Sequence, residues 1–215
     1  MRRSTVIALL CLSVSSLVGC SQADTSPASP APLPLSAAAL TQRLLDVSDL
    51  GEGYERAPQR DAAHDDVAVI ACPAVERLGG GTDLGSSSAF AHKAPVSFTY
   101  TGAGASSQIE EELYSGRAAE LSRGVEKTFD AMVSCPRYQV VSDGSVVDVS
   151  AQKVAAPDLG DEQWSQLLTY EVGGRRTLLK QTAVRTGTVM VIVSGSLGLV
   201  DAHLTAAVDK ARRAG

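Results

Sequence analysis

Several groups of residues in this chain have types and spacings that could do chemistry. Ser150-Ala151-Gln152-Lys153 forms an S-x-x-K, with Ser142-Asp143-Gly144 and Arg185-Thr186-Gly187 nearby. A penicillin-recognising acyl enzyme needs that serine to open a helix, so that the lysine one turn on reaches its hydroxyl, and needs the S-D-N element later in the chain. Here the SDG comes first, and Val147, Val149 and Ala151 alternate as in a strand, where residues three apart point to opposite faces. The S-x-x-K is read as a coincidence. His64 stands with Asp61, Asp65 and Asp66, three carboxylates and an imidazole that could hold a cation. His92 and His203 are distant in the chain, and no H-x-x-x-H or C-x-x-C occurs, so a solvated acidic loop is the simpler reading. GAGASS, residues 102 to 107, lacks the third glycine of a dinucleotide fingerprint. There is no G-x-S-x-G and no P-loop. The expectation is a chain with no catalytic set, no resident metal and no cofactor.

The chemistry that the sequence does specify is at Cys20. MRRSTVIALLCLSVSSLVGC opens with two arginines, continues with an uncharged apolar run from Val6 to Leu12, and closes on small residues. That is the build of a signal peptide, and its apolar part is too short to span a bilayer comfortably. Leu17-Val18-Gly19-Cys20 resembles the lipobox of bacterial lipoproteins, in which the cysteine thiol takes a diacylglycerol and becomes the first residue after cleavage. Each buried CH2 of an acyl chain contributes about 0.8 kcal/mol, so two or three chains anchor where one is marginal. Residues 1–19 are thus expected to be removed, and Cys20 to be the lipidation site.

Behind Cys20, prolines 27, 30, 32 and 34 recur among Ser, Ala and Thr. Such a stretch favours extended polyproline geometry and offers too little apolar surface to fold. Residues 20–39 read as lipidated cysteine and tether, and residues 40–215 as a single domain. Loss of residues 1–19 removes Arg2 and Arg3 and no acid, taking the formal charge from -5 to -7, which argues against a nucleic-acid partner. With Cys11 in the leader and Cys20 acylated, Cys72 and Cys135 remain, and an even pair outside the cytoplasm reads as a disulfide. The absence of Asn and the excess of Arg over Lys suggest a GC-rich coding origin, which suits an actinobacterium.

Periodicity then supplies the elements. Ser36 as N-cap, with Leu40, Leu44 and Val47 at helical spacing, predicts a first helix running to the SDLGEG turn. PAVERL predicts a short helix with Pro73 in its first turn and Cys72 at its cap. Val96, Phe98 and Tyr100 alternate as a half-buried strand, and Ile109 and Leu113 flank Glu111 on its return. Leu121, Val125, Phe129 and Met132 lie on one helical stripe that leads to Cys135. Turn signals at 142–145, 173–174 and 185–188 predict hairpins, VMVIVS a strand covered on both faces, and Val200, Leu204, Val208 and Ala211 a closing helix. Trp164, Leu168, Tyr170 and Val172 share one strand face, either as core or as the lining of an apolar cleft. The fold class is α+β, a largely antiparallel sheet built from hairpins with helices packed on it.

The order of these features resembles one known family. A first helix running into Asp49-Leu50-Gly51-Glu52-Gly53-Tyr54, Cys72 before a short helix, Phe129 six residues before Cys135, Leu159-Gly160-Asp161-Glu162 opening a strand, and Val184-Arg185-Thr186-Gly187 before an apolar strand are similar to PknH-like extracellular sensor domains over roughly residues 40 to 213. The resemblance implies an α+β cleft that binds an unidentified ligand without enzymatic activity. Kinase members of that family carry two disulfides, whereas this domain has cysteines for one. Three functions follow as expectations: a membrane-anchored ligand-binding or sensor-like lipoprotein outside the cytoplasmic membrane, an envelope protein that docks a protein partner, or a cell-wall hydrolase. The implied partners are the lipid anchor and an unknown small or apolar ligand or envelope protein.

Overall fold

The computed structural model describes residues 32–58, 67–79, 90, 92–102, 106–142 and 144–213. Nine strands form one sheet: β1 (Tyr54–Arg56), β2 (Ala68–Ile70), β3 (His92–Tyr100), β4 (Ser107–Ser115), β5 (Tyr138–Ser142), β6 (Ser145–Lys153), β7 (Glu162–Val172), β8 (Arg175–Thr186) and β9 (Val189–Gly195). Their order is β1-β3-β4-β9-β8-β7-β6-β5-β2, and every pair is antiparallel. The helices are α1 (Ala37–Thr41), α2 (Val47–Leu50), α3 (Pro73–Glu76), α4 (Ala118–Val133) and α5 (Leu197–Arg212). The chain is α+β, and the three predicted hairpin turns join β5 to β6, β7 to β8 and β8 to β9.

Two helical layers sandwich the sheet, and they are offset. On one face α1, α2 and α5 bury Leu40, Leu44, Leu50, Val200, Leu204 and Val208 against Val96, Phe98, Ile109, Val191 and Val193. On the other, Leu121, Val125 and Phe129 of α4 pack on Tyr114, Ala183, Met190 and Ile192, while Met132 and the α3 residue Val75 pack on Tyr138, Val149 and Leu168. Helix α5 lies over β4, β9 and β8, whereas α4 lies over β6 to β9. β9 is therefore covered on both sides, with Met190 to Val193 fully buried, as its unbroken apolar run predicts.

The predicted first helix is two short ones. Ser36 caps α1 through the Ala39 N–H, but the helix ends at Thr41, and Asp46 caps α2 with Asp49 completing a capping box. Between them the Leu45 N–H donates to Glu111 of β4 at 2.6 Å, a bond that a continuous helix would forbid. Val47 consequently turns outward, 41% exposed, and its helical spacing from Leu44 reports nothing. Strand β3 starts earlier than the alternation around Phe98 suggests, at His92. The two edge strands β1 and β2 were not among the expected elements, since three residues carry too little periodicity to register. Cys72 and Cys135 are joined, with Cα atoms 5.8 Å apart, tying the cap of α3 to the end of α4.

Candidate functional site

α4 packs on β4 at Tyr114, so the offset of the helical layers leaves two stretches of the sheet without a packed helix among the described residues: the α4 side of β3 and of the Gln108–Glu110 end of β4, and the α5 side of β5 and β6. A cleft lies at the edge of each stretch. The first, of about 200 Å³, is lined by Ala57, Pro58, Ser97, Gln108, Ile109, Glu110, Leu179, Ser194 and Gly195. The second, of about 380 Å³, lies between Ala155–Leu159, Lys180 and the α5 residues Asp201, Leu204 and Thr205. Lys180 and Asp201 form an ion pair across its floor.

The first cleft is built by strand register. Ser97 pairs with Glu110, Glu110 with Ser194, Ser194 with Gln181, Gln181 with Gln166, and Gln166 with Lys153. These six residues form one polar row across six strands, all on the α4 side. Burial increases along it as far as Gln166: Ser97, Glu110 and Ser194 are half-buried, Gln181 is 7% exposed and Gln166 is fully buried beneath α4, while Lys153 at the row's end is exposed. There the Gln166 amide donates to Gln181 Oε1 at 2.8 Å and lies 3.2 Å from Met132 Sδ, while its Oε1 accepts nothing. Beside the row, Lys93 is paired with the buried Glu112. Gly195 closes the cleft's end. A Cβ there would meet the Gln108 carbonyl at 2.3 Å, so β9 can approach β4 only without a side chain.

The predicted chemistry resolves residue by residue. Ser150 and Lys153 lie on β6 on opposite faces, so no hydroxyl–amine pair forms. Cys20, Asp61, His64, Asp65 and Asp66 lie outside the described residues, as do residues 103–105 of the glycine-rich loop. Among the described residues no group of three His, Cys, Asp or Glu could hold a metal ion. Trp164 and Leu168 pack into the core under α4, and Tyr170 is partly buried beside it; Val172 reaches the hairpin and is 45% exposed. The face they share is core at Leu168, borders a small pocket of about 10 Å³ at Trp164, and opens to solvent at Val172.

His203 Nε2 lies 2.6 Å from the Tyr54 hydroxyl, the only close imidazole–hydroxyl pair among the described residues. Burial lowers the His203 pKa and raises that of Tyr54, so both are neutral near pH 7. The pair is partly buried at the edge of the core, with the Tyr100 ring tilted against Tyr54 at 4.7 Å, and it ties α5 to β1. Two further sequence motifs also prove to be ties. Arg185 bonds Asp161 at 2.9 Å and Glu162 at 3.2 Å, and Asp161 also accepts the Gly187 N–H at 2.7 Å. Lys210 bridges Asp46 and Asp49, and the Lys210 ammonium, helped by the Ser48 hydroxyl, holds the Asp46 carboxyl far below the usual range.

Sequence reasoning missed the polar row entirely. Each member looks like an ordinary outward residue on its own strand, and only the pairing of six strands aligns them.

The fold and its clefts define a class: an antiparallel-sheet domain with offset helical layers on its two faces. Among solved structures, the extracellular domain of PknH from Mycobacterium tuberculosis matches with a TM-score of 0.58 at 13% identity, covering 83% of this chain and 98% of that one. The PknH-like fold implied by the order of motifs is thus the fold of this chain. The Rv0999 ortholog of Mycobacterium smegmatis, an uncharacterised protein, matches at 13% identity over 77% of this chain and 93% of its own, with a TM-score of 0.43 that carries no argument. No known family matches the chain, and no curated protein does. Among the described residues no helix is long and apolar enough to cross a membrane.

Proposed function

We propose that this protein is a lipoprotein tethered through Cys20 outside the cytoplasmic membrane, where its domain acts as a non-catalytic, sensor-like module that binds a ligand in the cleft above Ser97, Glu110 and Ser194. The observation that carries this reading is the cleft itself: a concave site whose floor is a row of polar side chains on a rigid sheet, with no activated nucleophile beside it. The fold it shares with a kinase's extracellular domain agrees with a sensing role, and the leader ending in Cys20 agrees with an anchored, extracytoplasmic location. Native mass spectrometry of the full lipoprotein, released from its own membrane, tests the reading. A discrete added mass that survives mild activation in the wild type, and is lost when Ala57→Trp fills the cleft mouth, is the expected result. A protein that carries no adduct, binds none of its cell's extracts and hydrolyses wall polymers would overturn it.

One observation favours a docking role. Ile70, Val146 and Leu178, on β2, β6 and β8, are 50%, 48% and 44% exposed, and register places all three on the α5 side of the sheet. Capture of an envelope protein that is lost on Leu178→Lys would support this second reading.

A further inference from the structure

A crevice between α4 and the β6–β7 ladder, apart from the cleft over Ser97 and Ser194, gathers polar groups that are left unanswered among the described residues. It is small, about 10 Å³, and its walls include Phe129 and Val133 of α4 and Trp164 of β7. Gln166 lines it from the sheet. That side chain is fully buried. Its nitrogen donates to Gln181 Oε1 at 2.8 Å and lies 3.2 Å from Met132 Sδ, while its Oε1 is buried and accepts no hydrogen bond. A buried carbonyl oxygen left without a donor costs about 1 to 3 kcal/mol, so this end of the crevice calls for a donor. Asp130 of α4 and Lys153 of β6 line it too. Both are exposed, and neither is engaged by another side chain among the described residues.

Size and charge then select the ligand. A space of about 10 Å³ admits one water-sized group, a single nitrogen or oxygen with its protons, and no ring. The group that enters must donate, because Gln166 Oε1 and the ionised Asp130 carboxylate only accept. Water satisfies the amide oxygen but leaves the carboxylate's charge and the aromatic walls unused. An ammonium tip donates to both oxygens and is drawn to the rings of Trp164 and Phe129. A bare amine meets the like charge of Lys153, whereas a carboxylate one carbon behind the nitrogen turns that repulsion into attraction. From this geometry we propose that the crevice between α4 and β6–β7 binds a free α-amino acid, its ammonium seated against Gln166 Oε1 and Asp130, its carboxylate on Lys153 and its side chain outside the crevice.

Trp164 is the only tryptophan of the chain, so its fluorescence reports on this site alone. The test titrates the full-length lipoprotein in dodecyl maltoside with glycine, L-alanine and D-alanine, and with ethylamine and acetate as the two half-ligands. The expected result is a saturable change in Trp164 emission with at least one amino acid, accompanied by a shift of the Gln166 side-chain amide in 15N NMR spectra, with each half-ligand at least about tenfold weaker. Asp130→Asn should weaken the amino acid about tenfold, as loss of one charge-assisted hydrogen bond predicts. Lys153→Met should weaken it about fivefold and tighten ethylamine, a reversal that a merely structural lysine would not give. Both substitutions fall on exposed side chains, so the fold is kept. Ala57→Trp, in the other cleft, should leave this binding unchanged, so that the two sites fail separately. Ethylamine that binds wild type as tightly as the amino acids would overturn the ligand class. Amino-acid binding indifferent to both Asp130→Asn and Lys153→Met would overturn the site, and silence of Trp164 and the Gln166 amide toward every probe would overturn the proposal outright, leaving water as the occupant of the crevice.

Discussion

Glu111 offers the sharpest test of how this fold is held together. It sits on β4 between Ile109 and Leu113, 1% exposed, beneath the junction of α1 and α2. One oxygen accepts the Leu45 N–H at 2.6 Å, while the other is buried and accepts nothing. Burial pushes its pKa from 4.5 to about 8, opposed by the Leu45 N–H and Lys210 and helped slightly by Asp49. A folded-state pKa above the unfolded value means that the folded chain keeps a proton which the unfolded chain releases, so stability falls as pH rises between those two values. At about 1.4 kcal/mol per pH unit, the loss accumulated from pH 4.5 to 8 is about 5 kcal/mol as an upper bound. His203, whose pKa is lowered by burial, works in the opposite direction below its ordinary 6.5, so the clean window is pH 6.5 to 8. Asp46 and Glu162, with depressed pKa values, act only at more acidic pH. Across that window wild type should lose about 2 kcal/mol in urea unfolding, whereas Glu111→Gln, which mimics the protonated acid, should stay level. A wild-type profile that is flat or rising from pH 6.5 to 8, or an equal slope in the glutamine variant, would refute the reasoning.

Other perturbations have equally definite outcomes. Replacing Cys72 and Cys135 together by Ala should lower stability by about 4 kcal/mol for a loop of 63 residues and speed hydrogen exchange in β2 and α3 first; unchanged exchange there would show that the bridge constrains neither. Gly160→Ala places a Cβ 2.4 Å from the Arg185 carbonyl, so the open ends of β7 and β8 must part, with a loss on the order of 2 kcal/mol in denaturant midpoints. Asp161→Ala removes one acceptor of Arg185 and the acceptor of the Gly187 N–H, and about 1 kcal/mol of stability should go with it in urea unfolding; an unchanged midpoint would show that the clasp contributes nothing. Cys20→Ala should leave the precursor uncleaved and move the protein from the detergent-rich to the aqueous phase; processing like that of wild type would remove the anchor from the account.

The comparison between sequence and structure divides along one physical line. The stripe of Leu121, Val125, Phe129 and Met132, the hairpin glycines at 173 and 174, the N-cap at Ser36 and the buried run of β9 were all legible, because each signal is repeated within a few residues of itself. Val47 and the split first helix were misread because a distant carboxylate, Glu111, competes for the backbone there. The motifs that resemble the PknH-like family were visible as words but not as contacts. Leu159-Gly160-Asp161-Glu162 and Val184-Arg185-Thr186-Gly187 turn out to clasp one another at the end of the β7–β8 ladder.

The sequence alone determined the cysteine pair and the helix-versus-strand identity of most of the domain, and it is the sole source of the proposed leader, lipidated Cys20 and proline-rich spacer, because all of these depend on residue type and on local period. Tertiary structure decided which polar residues matter. A glutamate between Ile109 and Leu113 becomes buried, and Ser97, Glu110, Ser194, Gln181 and Gln166 become neighbours, only when strands far apart in the chain are set side by side in one register. That register is set jointly by the hairpin turns and by the apolar faces of neighbouring strands, several of them far apart in the chain, a property that no single strand's sequence contains.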